Sequence, residues 1–254
     1  MKTRDNSTLD EVAGPPKRRD TPTRKIVRRI LFALGQIGVS FIVLSVIVTL
    51  PLRWIHPVTT SFILQDRAAS SADMRRMWTP FEEMSRHLPI AVVAAEDQMF
   101  PFHNGFDLES ISKAMNEDRD RPRGASTISM QLAKNLYLWP GRSMLRKGLE
   151  AWFTVLIELF WPKERILEVY LNVVEFGNGI YGAESASQYH FGKSVSQIGP
   201  YESALLAAVL PSPGRMSAGN PSAYVYRRAA QITSEVRRLG GSGYLVSGQP
   251  PVRR

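Results

Sequence analysis

Apolar and polar positions divide the chain into stretches of different kinds. From Ile30 to Leu50 the sequence ILFALGQIGVSFIVLSVIVTL runs 21 residues without a charge, interrupted only by Gln36, Ser40, Ser45 and Thr49. A helix of that length rises about 31 Å, close to the roughly 30 Å hydrocarbon core of a bilayer. A soluble helix would carry a continuous polar stripe at 3.6-residue spacing, and this run has none. A cleaved signal peptide would have a shorter apolar region and a small-residue cleavage site, whereas this run ends in Pro51-Leu52-Arg53-Trp54. The pattern predicts an uncleaved transmembrane helix over residues 30–50.

From about residue 86 to 240 helical periodicity dominates, and no run of alternating strand positions stands out. Leu88-Pro89 precedes IAVVAAED, an apolar run of helical or strand-like character that ends in acids. Asp107 can cap LESISKAM and Ser126 can cap TISMQLAKNLYL, because short polar side chains accept from the free amides of a helix start. A long amphipathic helix follows from about Ser143 to Trp161. Pro162 interrupts it and suits the first turn of the next helix, KERILEVYLN. The expectation is a mainly α-helical domain over 86–240. Residues 51–85, with Pro51, Pro57 and Pro80, read as a membrane-proximal linker. Residues 1–29 read as a basic cytoplasmic tail, and the Gly/Pro/Ser-rich stretch 241–254 as a flexible one.

Charge sharpens the membrane reading. The net charge is +9, and residues 1–29 hold nine Lys and Arg against four Asp and Glu, so more than half of the excess precedes the apolar run. Arg24, Lys25, Arg28 and Arg29 flank that run, which by the positive-inside rule puts the N-terminus in the cytoplasm and everything after about residue 51 outside. Trp54 falls where an interfacial aromatic would sit. No zinc-finger spacing or aromatic RNA-binding motif accompanies the basic charge, so no nucleic-acid partner is expected. The chain has no cysteine, which removes disulfides, thiolate metal sites and cysteine nucleophiles together.

Four constellations can carry chemistry. Glu96-Asp97 ends the apolar run AVVAA and is followed by Gln98-Met99-Phe100-Pro101-Phe102-His103-Asn104-Gly105-Phe106-Asp107. Apolar surroundings raise a carboxylate's pKa toward the range of a general base. On local sequence alone, the commoner reading is that the two acids merely end and solubilise a helix. His103 with Asp97 and Asp107 could form a metal cluster, but no second His stands at ligand spacing. In Arg123-Gly124-Ala125-Ser126-Thr127-Ile128-Ser129-Met130-Gln131-Leu132-Ala133-Lys134-Asn135, helical spacing aligns Thr127, Gln131 and Lys134 on one polar face near a positive helix start, able to grip a sugar phosphate or simply to face solvent. Arg146 and Glu150 stand four apart, a spacing that on a surface contributes about 0.3–0.5 kcal/mol. In Lys163-Glu164-Arg165-Ile166-Leu167-Glu168-Val169-Tyr170-Leu171-Asn172, Glu168 and Asn172 share a face while Ile166, Val169 and Tyr170 look like core. This last motif reads as scaffold before site.

Taken together and in order, EDQMFPFHNGFD, RGASTISMQLAKN, RKGLE, KERILEVYLN and LLAAVLPSPGRMS with NPSAYVYRR resemble the peptidoglycan glycosyltransferase family, most closely its monofunctional, membrane-anchored biosynthetic members. The resemblance covers residues 86–240. It implies a mainly helical, lysozyme-like fold behind one transmembrane helix, in the bacterial inner membrane with the catalytic domain periplasmic. It implies polymerisation of lipid II, with inverting transfer from an undecaprenyl-pyrophosphate-linked donor to the 4-hydroxyl of an acceptor lipid II. Glu96 matches the general base, and Glu150 the second acid, which assists the donor pyrophosphate directly or through a divalent cation (Mg or Mn). Asp97, His103, Ser126, Thr127, Gln131, Lys134, Asn135, Arg146 and Lys147 match substrate-binding positions. The implied partners are lipid II, the growing glycan strand and cell-wall synthesis or division proteins; no organic cofactor is expected.

Two positions depart from the family pattern. Met130-Gln131 stands where two glutamines are common, and Ser187 where a second alanine is usual. Ser110-Ile111-Ser112-Lys113 fits the Ser-x-x-Lys pattern of a transpeptidase nucleophile, but no Lys-Thr-Gly accompanies it, and it reads as a chance match. Two rivals remain at this point. A lysozyme-like lytic enzyme would attack with water or an internal hydroxyl and would need no lysine and arginine helices for a pyrophosphate. A catalytically silent scaffold would have no need for Glu96, Lys134, Arg146 and Glu150 together.

Overall fold

A computed structural model describes residues 22–66, 77–109, 112, 126–141 and 143–246. Of the helix expected after Asp107 only Leu108, Glu109 and Ser112 are described, each as helix; the rest of it with its Ser110–Lys113 pattern, the basic tail before residue 22, the segment Arg123-Gly124-Ala125 and the stretch after 246 lie outside the described residues. The chain divides into two compact units, residues 1–44 and 45–254.

In the first unit, helix α1 (Pro22–Thr49) begins at a proline, whose fixed φ and missing N–H suit a first helical turn. Its apolar side chains are exposed all round, among them Leu31, Phe32, Ile37 and Leu44, each 61–67 % accessible. Together with the turn Leu50–Arg53 that follows, this is the one helix among the described residues long and apolar enough to cross a membrane.

The second unit begins at Ser45 and includes the last turn of α1. It is helical throughout except for a two-stranded antiparallel hairpin. Its elements are α2 (Ser61–Gln65), α3 (His87–Glu96), α4 (Ile128–Tyr137), α5 (Met144–Phe160), α6 (Lys163–Val173), β1 (Glu175–Gly177), β2 (Ile180–Tyr181), α7 (Ala183–Phe191), α8 (Pro200–Val209) and α9 (Ala223–Leu239). The ambiguous run IAVVAAE is a helix, and the reason is its setting. Leu88, Ile90, Val92 and Val93 are fully buried on every side of α3, as expected of a helix apolar all round. Helix α3 packs against α8 and α9, while α4 packs against α5 and α6, and one continuous apolar cluster joins the two layers.

The caps explain where the helices start. Ser143 accepts from the Arg146 amide and Ser222 from the Val225 amide. Helix α4 is capped by Thr127 and not, as the sequence suggests, by Ser126. The Thr127 hydroxyl accepts from Met130 N at 3.2 Å, and Ser126 lies exposed outside the helix. Threonine wins the position because its hydroxyl has a second partner, donating to the Gly105 carbonyl at 2.6 Å.

Motif KERILEVYLN works as a scaffold. Arg165, buried in α6, donates from Nε and Nη2 to the Leu52 carbonyl (3.1 and 2.9 Å), from Nη2 to Ile55 O (2.9 Å) and from Nη1 to Glu168 (2.9 Å). Its guanidinium lies 5.3 Å from the Trp78 ring centroid, and Trp78 stacks on His56. Asn172 holds both backbone groups of Thr79, accepting from its N at 3.0 Å and donating to its O at 2.9 Å. One face of α6 thereby fastens segments 50–56 and 77–79. The fastening continues at the end of α1, where Trp152 donates to Ser45 Oγ and Trp161 to the Thr49 carbonyl, both at 3.1 Å. Residues 241–245, assigned from sequence to the tail, form a 3-10 turn in which Tyr244 is buried.

Candidate active site

The site grows from the C-terminal end of α3. Seven of its ten residues are buried apolar ones, and its last residue, the half-buried Glu96, reaches the surface layer. A carboxylate at the negative end of a helix dipole, at the edge of an apolar core, is penalised as an anion. Burial accordingly raises the Glu96 pKa above its ordinary value, with Asp97 adding to the rise and Gln131, Arg228 and Lys134 opposing it. Gln131 on α4 donates from Nε2 to Glu96 Oε2 at 2.8 Å. The other edge of the Gln131 amide accepts from the Tyr170 hydroxyl of α6 at 2.9 Å.

Asp97 is the C-cap residue of α3, and its buried carboxylate joins two helices. It accepts from Ile128 N at the start of α4 (3.0 Å) and from His103 Nε2 (2.9 Å). His103 Nδ1 in turn accepts from Gly105 N at 3.0 Å, a pattern that fits the tautomer protonated on Nε2. Asp97 and His103 thus form a loop brace. Among the described residues no group of three or more His, Cys, Asp or Glu could hold a metal ion.

Gly105 closes this loop. Its φ is +88°, and an added Cβ would stand 2.7 Å from Thr154 Cγ2 and 3.0 Å from Glu158 Cγ of α5. Gly105→Ala combines a left-handed backbone cost of about 1–2 kcal/mol with overpacking of about 1–3 kcal/mol. The expected outcome is a melting temperature lowered by about 8 °C, checked by circular dichroism in detergent. An unchanged melting temperature would show that the loop relaxes at no cost.

The cationic side lies on α4 and α5. Gln131 and Lys134 are partly exposed positions of α4, three apart on one face, between buried Leu132, Ala133, Asn135 and Leu136. Of the trio Thr127, Gln131 and Lys134, the first two have their polar atoms committed to protein. Lys134 has no hydrogen-bonded partner among the described residues, and its ammonium lies 5.3 Å from the Phe62 ring centroid. Burial lowers its pKa, and Glu150 opposes that most strongly, against further lowering by Arg146 and Lys147. Lys134 is also close enough to Glu96 to act on it electrostatically, so one ammonium links the two acids.

Glu150, which the spacing alone would place in a surface pair, is buried. Arg146 Nη1 meets its Oε2 at 2.9 Å and Lys147 Nζ its Oε1 at 2.5 Å. Both carboxylate oxygens are therefore occupied by cations, and a resident divalent ion would have to displace one of them. The protein's donor set does not fit such an ion by itself. What Glu150 does is hold two positive groups beside Lys134.

Arg228 of α9 is a residue that the sequence reading left without a role, although it ends the quoted motif Tyr224-Val225-Tyr226-Arg227-Arg228. It donates to the Ala95 carbonyl at 3.0 Å and stabilises the Glu96 anion. Its signal was an arginine at the end of a helix-start motif, without any indication of which helix it faces. Tyr170, read as core, is core and also a hydrogen-bond donor into the site.

A desolvated carboxylate facing a cluster of cations suits chemistry in which one oxygen gives up a proton while an anionic group departs. Comparison with known proteins bears on the same residues. Proteins named biosynthetic peptidoglycan transglycosylase are similar over nearly their whole length. One from Stutzerimonas stutzeri (strain A1501) is 50% identical over 232 residues, 89% of this chain and 96% of the relative. One from Xanthomonas campestris pv. campestris (strain B100) is 50% identical over 244 residues, 93% of this chain and 96% of the relative. One from Pseudomonas entomophila (strain L48) is 49% identical over 231 residues, 88% and 94% of the two chains. A sequence model of the transglycosylase family matches residues 65–237, a span that holds Glu96, Lys134, Glu150, Tyr170 and Arg228 alike. Its lysozyme-like domain agrees with the mainly helical unit seen here, and this chain belongs to the transglycosylase family.

Proposed function

We propose that this transglycosylase polymerises lipid II into the glycan strands of peptidoglycan, with Glu96 as the general base. The observation that carries the reading is a desolvated Glu96, hydrogen-bonded by Gln131 and in electrostatic reach of Lys134, whose ammonium has no hydrogen-bonded partner among the described residues. Glu96 removes the proton from the 4-hydroxyl of the acceptor lipid II. That oxygen attacks the anomeric carbon of the donor, the growing strand on undecaprenyl pyrophosphate, from the face opposite the leaving group. The bond to pyrophosphate breaks and the anomeric configuration inverts. Lys134, Arg146 and Lys147 face the negative charge that develops on the departing phosphate, with Glu150 keeping the last two in place. Ser126 adds an exposed hydroxyl to the substrate-binding surface, while Asn135 and the Asp97–His103 brace, whose side chains are buried, hold the elements that line it. A divalent cation enters this reading only as a ligand of the donor's phosphates, and no step runs through it.

The anchor suits the substrates, because both carry long lipid tails and must be reached at a membrane surface. Arg28 and Arg29 at the start of the apolar run support a cytoplasmic N-terminus, a single pass through the inner membrane and a periplasmic catalytic unit. Cell-wall synthesis or division proteins are the partners that this place implies.

The test incubates the purified full chain with lipid II in detergent and resolves the products by size. Glycan strands are the expected result; shortening of preformed glycan would favour a lytic enzyme, and inertness of the folded protein a scaffold. The pH profile is a further expectation. Glu96 must be deprotonated and its pKa is raised, so activity falls on the acid side at a higher pH than an ordinary glutamate would give. Lys134 must be protonated and its pKa is lowered, so KM for the donor rises on the basic side at a lower pH than an ordinary lysine would give. The expected kcat/KM profile is a bell narrower than unperturbed Glu and Lys would produce. A flat profile between pH 5 and 10, values near the ordinary pKa of each group, would sink this assignment of roles.

A further inference from the structure

We infer that Tyr170 is a positioning residue for Glu96: its buried hydroxyl fixes the Gln131 amide with the N–H edge toward the carboxylate, and so keeps Glu96 in the state that accepts a proton. The inference rests on the reading of Glu96 as the base.

A primary amide has one donor edge and one acceptor edge, and rotation by half a turn exchanges them. The Tyr170 hydroxyl stands 2.9 Å from Gln131 Oε1, and Gln131 Nε2 stands 2.8 Å from Glu96 Oε2. Reversing the amide would set Oε1 against the Glu96 carboxylate, two acceptors face to face, which is tolerable only once Glu96 carries a proton. Tyr170 decides between the two orientations because it is fully buried in α6 and donates to the acceptor edge. Burial, with the charges of Glu96 and Asp97 nearby, raises its pKa well above the ordinary value, so it stays a neutral donor throughout the working pH range. The charged groups facing Glu96 are Asp97 next to it, Lys134 from α4 and Arg228 from α9. Their signs are set by their own protonation. The amide between α3 and α6 has a sign set by its orientation, and that is what Tyr170 controls.

The proposal also explains why a tyrosine occupies a position that pattern alone marks as core. A phenylalanine would fill the same space in the apolar cluster and leave Oε1 of a partly buried amide without this donor.

The test measures kcat and KM against pH for the full chain in detergent with lipid II. It compares wild type, Tyr170→Phe, Gln131→Met, the double variant and Glu96→Gln. Tyr170→Phe is expected to lower kcat about three- to five-fold on the acid side, to leave KM for the donor near wild type and to move the acid limb up by about half a pH unit, the scale of one hydrogen bond. In the Gln131→Met background the Tyr170 change should have no further effect on the limb. A wild-type acid limb in Tyr170→Phe, or additive shifts in the double variant, would overturn the proposal. Should Tyr170→Phe fail to fold, 3-fluorotyrosine at position 170 keeps the shape and strengthens the donor; it must move the limb to lower pH, and no movement overturns the idea. Full activity in Glu96→Gln would instead remove the base assignment itself. An inactive Glu96→Gln beside an unshifted Tyr170→Phe would remove only the relay.

Discussion

Glu96→Gln should polymerise glycan about a thousand-fold more slowly than wild type, within the range that a positioned general base contributes, and should at the same time melt at a higher temperature at pH 7. The first effect follows from chemistry, since an amide has no lone pair able to take the proton of the acceptor hydroxyl. The second follows from linkage. Burial raises the Glu96 pKa, so the folded protein binds that proton more tightly than the unfolded chain does. The stabilisation from that proton is complete below the unfolded pKa and is lost as pH rises through the folded one. Above its folded pKa the group is an anion held at the end of an apolar helix, and a neutral amide of the same shape removes the cost while keeping a partner in Gln131. Strand formation on gels and thermal melting in detergent read the two effects. Activity within ten-fold of wild type would sink the base assignment, and a lower melting temperature would contradict the desolvation argument.

The other large effect is structural. Arg165→Ala should lower the melting temperature by about 10 °C, from a loss of about 3–5 kcal/mol typical of breaking a buried charged network. The side chain holds the Leu52 and Ile55 carbonyls and Glu168, and it covers Trp78. Removing it leaves Glu168 without its cation and the carbonyls without donors. Arg165→Lys should recover little, because one ammonium cannot reproduce a planar fork that reaches two carbonyls and a carboxylate. Tryptophan fluorescence reports the change directly, since Trp78 loses a neighbour on its face. Melting temperatures within 2 °C of wild type for Arg165→Ala would show that segments 50–56 and 77–79 hold themselves.

Much of the site was legible because the chemistry repeats in local patterns. The span 30–50, the helices after Ser143 and Pro162, and the ordered motifs around Glu96, Lys134 and Glu150 all declare themselves within a few residues. What sequence could not give is contact between distant elements. Thr127 replaces Ser126 as a cap because Gly105, 22 residues earlier, supplies a second partner. Arg146 and Glu150 look like a surface pair by spacing, yet Glu150 is buried and Arg146 half-buried because α4 covers α5. Tyr170 and Arg228 reach Glu96 from helices far along the chain, and nothing in KERILEVYLN or NPSAYVYRR indicates which way they face. The Gly-rich stretch after Leu239 has the composition of a mobile tail, and one aromatic in it is enough to bury a turn.

That turn has a bearing on how the enzyme comes into being. Tyr244 donates to the Gln98 carbonyl at 2.5 Å and meets Phe102 edge-on, while Gln98 also donates to Glu235 of α9 at 2.8 Å. The loop that follows the base is thus braced by residues synthesised long after it. A nascent chain that has released Glu96, Lys134, Arg146 and Lys147 from the ribosome still lacks Arg228, Glu235 and Tyr244. Competence should therefore arrive late in biogenesis and all at once, sparing the cell a half-made transglycosylase.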